Sequence, residues 1–522
     1  MTEPVEQTEG TLLKALIDEK PLTVPETLRV LEQRAKDMKE VGYSLSERSL
    51  RRWLAGNDST RPGRQHIRVL ECEFRYPIEA LLAPDNRPEG ERLPEEEPHQ
   101  DQDLTTGDFI NWVVEHSALD YPAAYRAVAE NVARLATESA ATRAQSAHLR
   151  SRVERSQIAD AVIEYYGEDA GFYSVRFGQA VLTLSVLTTP EWVGLRVPLG
   201  GDAESCRLID YGDGPTVRLS DSQAQLALER LARAEVAGTV MVNNPLYRLA
   251  SFDVDADCVT ATFGRTEFAS YALTADLLET ELRHLLEKGP RGDRVAKKPL
   301  RDAWLPTVER GLAFGERVCV GGTVCLVAIA DGTEYHMLVQ ERSSRVVNVA
   351  GALAVIPKAF HQPLVDPFGE TRISTTIERE MEEELLGRPD LEQRSLDSSL
   401  KAAPLHPMNA SAPMQWLHEH PDAWRMECTG FGINMVTGNY ELSCLVVIHD
   451  PTWWADFGYL IGANWEAAKI HRCSSVDGDG LERLVSDPRW SNEGLFAFLE
   501  GMRRLAELDP GRVRAPVVEP GR

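Results

Sequence analysis

Carboxylates are crowded into one short stretch of this chain, IEREMEEELLGR at residues 377–388, where five glutamates fall within seven residues. On a helix, like charges three or four residues apart repel each other by roughly 0.2–0.5 kcal/mol per pair. Glu380, Glu383 and Glu384 have that spacing, so their side chains converge on one flank of the helix. Carboxylate oxygens in this arrangement suit Mg²⁺ or Mn²⁺ held beside a substrate phosphate. The alternative is a solvated helix face that binds nothing, and the run alone leaves both interpretations open.

The element that must position these carboxylates is a helix from Arg372 to Leu386. Apolar residues recur at every fourth position along it and predict one buried stripe, made of Ile373, Ile377, Met381 and Leu385. Strand-like runs lie on both sides, including VCLVAIA, YHMLVQER and YELSCLVVIHD, and the helical pattern NEGLFAFLEGMRRLAEL closes the segment. This succession predicts an α+β fold for residues 300–508.

The glutamate helix resembles the second half of the Nudix box, Arg-Glu-apolar-x-Glu-Glu-x-Gly-apolar, which reads REMEEELLG here. The matching residues are Arg379, Glu380, Glu383 and Glu384. Leu386 stands where the family has glycine, and the family's Pro-Gly-Gly turn corresponds to IPKAFHQP at 356–363, which lacks both glycines. The resemblance implies a Nudix-like fold in which Glu380, Glu383 and Glu384 bind Mg²⁺ or Mn²⁺. It also implies that Arg379 and Glu380 belong to the catalytic centre, with Arg379 orienting the loop through a salt bridge.

A second stretch suited to binding lies near the amino terminus, YSLSERSLRRWLAG at residues 43–56. Ser46 can cap a helix there, because a serine oxygen accepts hydrogen bonds from the free amides of a first turn. Leu50 and Trp53 form the apolar face of this helix, and arginines occupy the other faces. Residues 46–68 contain six arginines and only two acidic residues, so this region is basic within an acidic chain.

The pattern LSERSLRRWLAG and the helices that follow it are similar to a helix-turn-helix of the Cro/phage-repressor type. That family inserts its second helix into the major groove with the amino-terminal residues on base edges. The resemblance implies double-stranded DNA as a partner, a homodimer on paired half-sites, and DNA contacts from Ser46, Arg48, Ser49, Arg51 and Arg52. The alternative is a small helical bundle whose arginines pair with the acidic linker or with another domain.

The composition sets limits on these interpretations. A net charge of −25 argues against a protein that coats nucleic acid or an anionic membrane, but it is compatible with one small basic reader domain. No apolar run approaches the roughly 18 residues of a membrane span, and the acidic start MTEPVEQTEG is unlike a secretory signal. Eight scattered cysteines predict buried, reduced thiols, so a cytoplasmic protein is expected.

Two Pro-rich stretches divide the chain, which at 522 residues exceeds the size of a single core. The predicted parts are an all-α helix-turn-helix domain at 1–84, an acidic linker at 85–104, a mixed α/β domain at 105–287, a linker at 288–299, the α+β Nudix-like domain at 300–508 and a flexible tail at 509–522. The middle domain carries no recognisable motif, and its role is left open.

This order of parts is similar to large multidomain transcriptional regulators of actinobacteria. It favours a sequence-specific DNA-binding regulator whose Nudix-like domain senses a nucleotide-type or diphosphate-containing ligand. The rival hypothesis is a Mg²⁺-dependent pyrophosphohydrolase of the Nudix type, with the amino-terminal helices as an accessory domain. Enzymatic activity is an open question at this point, because the missing glycines weaken the loop that a hydrolase needs around a diphosphate.

Overall fold

The structure forms two compact units, one made of Met1–Asp101 with Phe457–Gly462 and the other of Gln102–Asp456 with Ala463–Arg522. It is a computed structural model of the chain. It describes residues 11–19, 24–37, 43–54, 62–74, 78–83, 102–137, 153–209, 214–239, 241–255, 257–287, 298–343, 351–364, 366–386, 410–462 and 467–520.

The elements of the first unit are helices, as far as the structure describes them. Those of its amino-terminal part are α1 Leu12–Glu19, α2 Val24–Asp37, α3 Glu47–Leu54, α4 Arg64–Phe74 and α5 Ile78–Leu81. Each helix contributes to one apolar core, whose most enclosed members include Leu13, Leu16, Leu31, Leu50, Leu70 and Leu81. The apolar face predicted for α3 is part of this core.

Twelve further helices follow along the described chain. They are α6 Gln102–His116, α7 Tyr121–Thr137, α8 Arg155–Tyr166, α9 Asp221–Ala237, α10 Asp276–Glu287, α11 Pro299–Trp304, α12 Val308–Leu312, α13 Ile373–Glu380, α14 Ala412–Glu419, α15 Pro451–Phe457, α16 Gly478–Val485 and α17 Asn492–Leu508. A helical turn at Phe268–Ser270 and a π-helical turn at Tyr271–Ala275 lead into α10.

An eleven-stranded mixed sheet dominates the second unit. Its central path runs β13-β8-β7-β12-β11-β2-β1-β14, with β10 on β7, β3 on β11 and β9 on β8. The strands are β1 Phe172–Phe177, β2 Ala180–Leu187, β3 Val193–Pro198, β7 Gly321–Asp331, β8 Glu334–Arg342, β9 Leu353–Val355, β10 Lys358–Phe360, β11 Trp424–Asn434, β12 Asn439–Ile448, β13 Ala467–Ser474 and β14 Val518–Pro520. Strands β7 and β12 are parallel, and the other pairs are antiparallel. Helix α17 packs across this sheet and fills the main core with Leu495, Phe496, Phe498 and Leu499.

A smaller sheet has the order β4-β6-β5, formed by β4 Glu204–Leu208, β6 Cys258–Glu267 and β5 Pro245–Asp255. Strand β4 runs parallel to β6, and β5 runs antiparallel to it. The carbonyl of His361, just after β10, accepts a hydrogen bond from the Tyr247 amide of β5 at 3.0 Å. The small sheet therefore borders the loop that leads to the glutamate helix.

The predicted boundary between a middle and a carboxyl-terminal domain does not separate two sheets. Strands β2 and β3 come from the segment predicted as 105–287, yet both pair with β11 from the segment predicted as 300–508. Strand β1, from the same segment, pairs with β2 and with β14 of the predicted tail. Residues 288–297 of the linker predicted at 288–299 lie outside the described residues.

Two predicted boundaries differ from the structure. Helix α6 begins at Gln102, inside the linker predicted at 85–104, whose residues 85–101 lie outside the described part. The tail predicted to be flexible at 509–522 contains β14, which pairs with β1. Val513 and Val518 are 8% exposed, so burial of apolar side chains orders this tail.

The fold class at the coarser level is mixed α/β in more than one unit, as the sequence predicts. Within the described residues, no helix combines the length and the apolar character needed to cross a lipid bilayer.

Candidate functional site

The glutamate run lies on α13 and on the π-helical turn Met381–Leu385 that continues it. The predicted apolar stripe is confirmed, because Ile373, Ile377, Met381 and Leu385 are all 2% exposed or less. The π turn was not predicted, and it widens the helix by one residue within the run. Such turns occur often at functional sites, which makes this stretch a candidate site on geometry as well as on sequence.

The glutamate side chains are buried rather than solvated. Glu380, Glu382, Glu383 and Glu384 are 5%, 2%, 6% and 1% exposed, and only Glu378 is half-buried. Buried carboxylates are costly unless hydrogen bonds or cations offset the loss of water. The alternative of a solvated helix face is therefore excluded, and the contacts of each carboxylate become the question.

Arg379 supplies the cation nearest to the run. Its Nε and Nη2 atoms donate to Glu380 Oε1 at 3.1 and 2.9 Å, and both side chains are buried. Its Nη1 atom donates to the carbonyl of Gln362 at 3.1 Å. Arg379 thus ties the loop 356–363 to the helix, as the Nudix resemblance implies, although the loop group it binds is a carbonyl and not an acid.

Backbone amides from distant segments hold two other glutamates. The Lys358 amide donates to Glu384 Oε2 at 3.1 Å, and the Ser411 amide donates to Glu382 Oε1 at 2.7 Å. Lys358 lies in the loop 356–363, at a position that the sequence resemblance aligns with a glycine of the Nudix box. Neither contact could be read from the sequence, because no local pattern connects residues 26 and 29 positions apart.

Lys358 also reaches the first turn of α17. Its Nζ atom lies 2.5 Å from Glu493 Oε1, and Asn434 Nδ2 donates to Glu493 Oε2 at 3.2 Å. Burial would raise the pKa of Glu493, but the charge of the Lys358 ammonium and the hydrogen bonds to this carboxylate together leave that pKa below its ordinary value. Lys358 therefore connects the glutamate helix to an ionised carboxylate on the other side of the loop.

Glu441 on β12 is a further acidic group, close enough to Glu493 and Lys358 for their charges to shift its pKa. Burial and the negative charge of Glu493 raise the pKa of Glu441 to about 8, although Lys358 partly opposes them. Glu441 is therefore protonated at neutral pH while Glu493 is ionised. A glutamate inside an apolar strand pattern, YELSCLVVI, is the one sign of this group in the sequence, and it belongs to no motif.

The amino terminus of α13 is capped by Glu204 from strand β4. Its Oε1 accepts hydrogen bonds from the amides of Ile373 and Ser374, the latter at 3.1 Å. Its Oε2 accepts from Ser374 Oγ at 2.7 Å and from the Gly200 amide at 2.9 Å. A carboxylate at this place satisfies free amides and complements the positive end of the helix dipole. The small sheet thereby fixes the start of the glutamate helix.

The chemistry of the glutamate run fits a divalent cation, because carboxylate oxygens are the ligands that Mg²⁺ prefers. Glu380, Glu383 and Glu384, the residues predicted as ligands, fall within little more than one turn. Within the described residues, however, no three His, Cys, Asp or Glu side chains are grouped as metal ligands.

Helix α3 carries the residues predicted to contact DNA. Ser46 Oγ accepts from the Ser49 amide at 3.2 Å, so Ser46 caps the helix at its amino terminus. Leu50 and Trp53 are 0% and 5% exposed and anchor the opposite face. The capped helix is therefore held in the unit by one face and keeps its other face accessible.

The arginines of α3 differ in exposure. Arg48 and Arg51 are exposed, and Arg52 and Ser49 are half-buried. Arg51 pairs with Glu47 at 2.7 Å, with both side chains about half exposed or more. Exposed pairs of this kind contribute little stability, so Arg51 can exchange Glu47 for another anion at little cost.

The predicted residues thus form two separate groups, one on α3 in the first unit and one on α13 in the second. A search of protein-family models finds none that matches this chain, and a search of curated proteins finds no significant relative. The case for a function therefore depends on the geometry of these two groups.

Proposed function

We propose that this protein is a sequence-specific DNA-binding transcriptional regulator whose glutamate-helix region senses a nucleotide-type or diphosphate-containing ligand. The observation that carries the proposal is helix α3, capped by Ser46 and anchored by Leu50 and Trp53, with Arg48 and Arg51 exposed. This is the arrangement that a recognition helix of the helix-turn-helix type requires.

Arginine suits this role because its planar guanidinium both neutralises phosphate and binds guanine through two hydrogen bonds. Ser46, Ser49 and Arg52 lie on or beside the same short helix and complete the proposed contact surface. The acidic remainder of the chain, with a net charge of −25, limits non-specific binding and leaves α3 as a local basic surface. A homodimer on two half-sites, about one helical turn apart, is the form in which such helices usually act.

The contacts of the glutamate run favour sensing over catalysis. Glu382 and Glu384 accept backbone hydrogen bonds, Glu380 pairs with Arg379, and Lys358 fills the place of a family glycine. Groups that hold one another in this way can report a bound diphosphate or its cation by rearranging. They are less suited to the repeated opening of a metal site that turnover needs.

Selection of binding sites from random double-stranded DNA tests the proposal directly. The full-length chain, at low salt and with Mg²⁺ and nucleoside diphosphates present, is expected to enrich a sequence with two related halves. A chain with Arg48→Ala and Arg51→Ala is expected to lose the enrichment. Arg126→Ala, on an exposed position of α7, is the matched control and is expected to retain it. Failure to enrich any site would contradict the proposal.

A Nudix-type pyrophosphohydrolase is the second candidate, because four buried glutamates and a π turn together resemble a catalytic helix. Its test is turnover of nucleoside diphosphate-linked compounds with Mg²⁺. We expect weak hydrolysis at most, since Lys358 and Ala359 replace the two glycines. Rapid cleavage that disappears in a Glu383→Gln, Glu384→Gln double variant would make the protein an enzyme first.

A further inference from the structure

Glu441 is a buried carboxyl whose hydrogen-bonding capacity the protein does not use. It is 6% exposed and makes no hydrogen bond or ion pair with any described residue. Unused buried polar groups cost roughly 1–3 kcal/mol each, and native structures contain few of them. A group of this kind, when solvent can still reach it, is a candidate contact for a ligand.

Glycines flank Glu441 on both neighbouring strands. In register, Glu441 on β12 pairs with Gly322 on β7 and with Gly432 on β11. A methyl group added to Gly322 would lie 1.7 Å from the Ala359 carbonyl oxygen, and one added to Gly432 would lie 2.4 Å from Val186 Cγ1. The absence of side chains lets β10 pack directly against Gly322 and β2 directly against Gly432, one on each side of Glu441. We call this place the Glu441 slot, defined by Glu441, Gly322 and Gly432.

The polar groups next to the slot are already paired with one another. Both oxygens of Glu493 are engaged, one by Lys358 Nζ and the other by Asn434 Nδ2. Asn434 Oδ1 in turn accepts from Ser185 Oγ at 3.1 Å and from the Val436 amide at 3.2 Å. These contacts leave the Glu441 carboxyl as the acidic group of this network that is able to bind something else.

The charge balance determines which ligand would match. Glu493 and Lys358, the charged groups that face Glu441, neutralise each other, and the pKa of Glu441 near 8 keeps its carboxyl neutral at pH 7. A neutral carboxyl offers one hydrogen-bond donor and one acceptor side by side. The complementary partner is a cis-amide edge, which offers an acceptor and a donor at the same spacing. A cation would instead require an ionised carboxylate, beside the like charge of Lys358.

We propose that the Glu441 slot binds the cyclic-amide edge of a flat heterocyclic ligand. The ligand's carbonyl accepts from the Glu441 carboxyl, and its ring N–H donates to the other oxygen. The inference deepens the proposed sensing function, because it assigns the ring of a nucleotide-type ligand to a place beside Lys358 and the glutamate helix. It does not depend on DNA binding, which is a property of α3.

Calorimetric titration of the full-length chain tests the slot, with uracil, hypoxanthine and 2-pyridone as probes and 1,3-dimethyluracil as the probe without an N–H. We expect at least one N–H-bearing amide to bind at millimolar concentration or tighter, and dimethyluracil to bind at least roughly tenfold more weakly. Glu441→Ala is expected to lose roughly tenfold in affinity. Glu519→Gln, on an exposed strand position, is the control and is expected to bind as the parent does.

The pH profile separates this mechanism from a purely structural role of Glu441. Affinity for the amide is expected to be constant below pH about 8 and to fall about tenfold per pH unit above it. Glu441→Gln keeps a donor and an acceptor but cannot ionise, so it should bind at all pH values without that fall. The proposal is overturned if no amide binds, if dimethyluracil binds equally well, if Glu441→Ala binds as the parent does, or if affinity rises above pH 8. If the protein selects a DNA site but fails these binding tests, only the proposed Glu441 slot is contradicted. If it binds amides but selects no DNA site, only the proposed regulator function is contradicted.

Discussion

At the scale of single residues, the glutamate run is stabilised by partners that come from elsewhere in the chain. The amides of Lys358 and Ser411 and the guanidinium of Arg379 each hold one carboxylate. Hydrogen bonds to charged groups are stronger than those between neutral ones, which offsets part of the cost of burying the charges. The repulsion expected from the sequence is thereby relieved at Glu380, Glu382 and Glu384.

Metal binding by this run is a prediction that thermal unfolding can test. Millimolar Mg²⁺ or Mn²⁺ is expected to raise the Tm of the full-length chain, because a ligand that binds only the folded state stabilises it. A Glu383→Gln, Glu384→Gln variant is expected to fold, since the apolar stripe is unchanged, but to lose the rise. Glu378→Gln, at the half-buried end of the run, is the control and should keep it. No shift in the parent, together with a more stable double variant, would show that the run binds no cation.

Glu441 gives a second prediction at this scale. In the unfolded chain its carboxyl ionises near the ordinary value of 4.5, whereas in the folded protein it keeps its proton up to pH about 8. The folded state therefore binds one more proton between these values, and the free energy of unfolding falls as pH rises, by about 1.4 kcal/mol per unit. Above pH 8 this contribution is constant.

Urea unfolding of the parent and of Glu441→Gln, from pH 5 to 9, measures this difference. The variant is expected to lack the decline, so that the two stability curves separate progressively between pH 5 and 8. Parallel curves across this range would show that Glu441 ionises normally in the folded protein.

At the scale of elements, the start of the glutamate helix depends on a carboxylate from the small sheet. Replacing Glu204 by Ala leaves the amide of the buried Ser374 and the amide of the half-buried Gly200 without their acceptor. We expect a loss in the free energy of unfolding that exceeds that of the comparison variant below, at about 1–3 kcal/mol for each amide left without an acceptor. Ser220→Ala, which removes the capping box of the more exposed helix α9, is the comparison and should cost about 1 kcal/mol. Equal losses would mean that Glu204 acts as an ordinary surface cap.

The same elements show what the sequence could and could not predict. Periodicity predicts the stripe from Ile373 to Leu385 because a helix repeats its faces locally, and it likewise predicts α17 and the strand β2. Periodicity does not predict which elements these helices and strands contact. Leu187 of β2 pairs with Ile433 of β11, and Glu204 bonds a helix 169 positions later, and no local pattern encodes contacts across such distances. The burial of the glutamates was unpredictable for that reason.

At the scale of the whole molecule, the chain combines a first unit whose described elements are helices and a second, mixed α/β unit, each with its own candidate site. The sequence predicted the division near residue 100 from the acidic, Pro-rich composition of the linker, which cannot bury an apolar core. It did not predict that the middle and carboxyl-terminal segments share one sheet, since strand pairing between distant segments leaves no compositional mark. The proposed regulator therefore has one reader unit and one large sensing unit.

The central claim is that α3 binds DNA through its exposed arginines, and the salt dependence of binding tests it most directly. The measurement is the slope of log Kd against log salt concentration for the full-length chain on its selected site. Each phosphate contact contributes about 0.9 to that slope, so Arg48→Ala and Arg51→Ala should each reduce it by about one unit if they bind phosphate. Replacing an arginine that contacts a base instead should weaken the binding free energy by about 1–3 kcal/mol, and only on the selected site. Arg126→Ala should change neither quantity. If both α3 variants keep the slope and the affinity of the parent, α3 is not the reader and the account is contradicted.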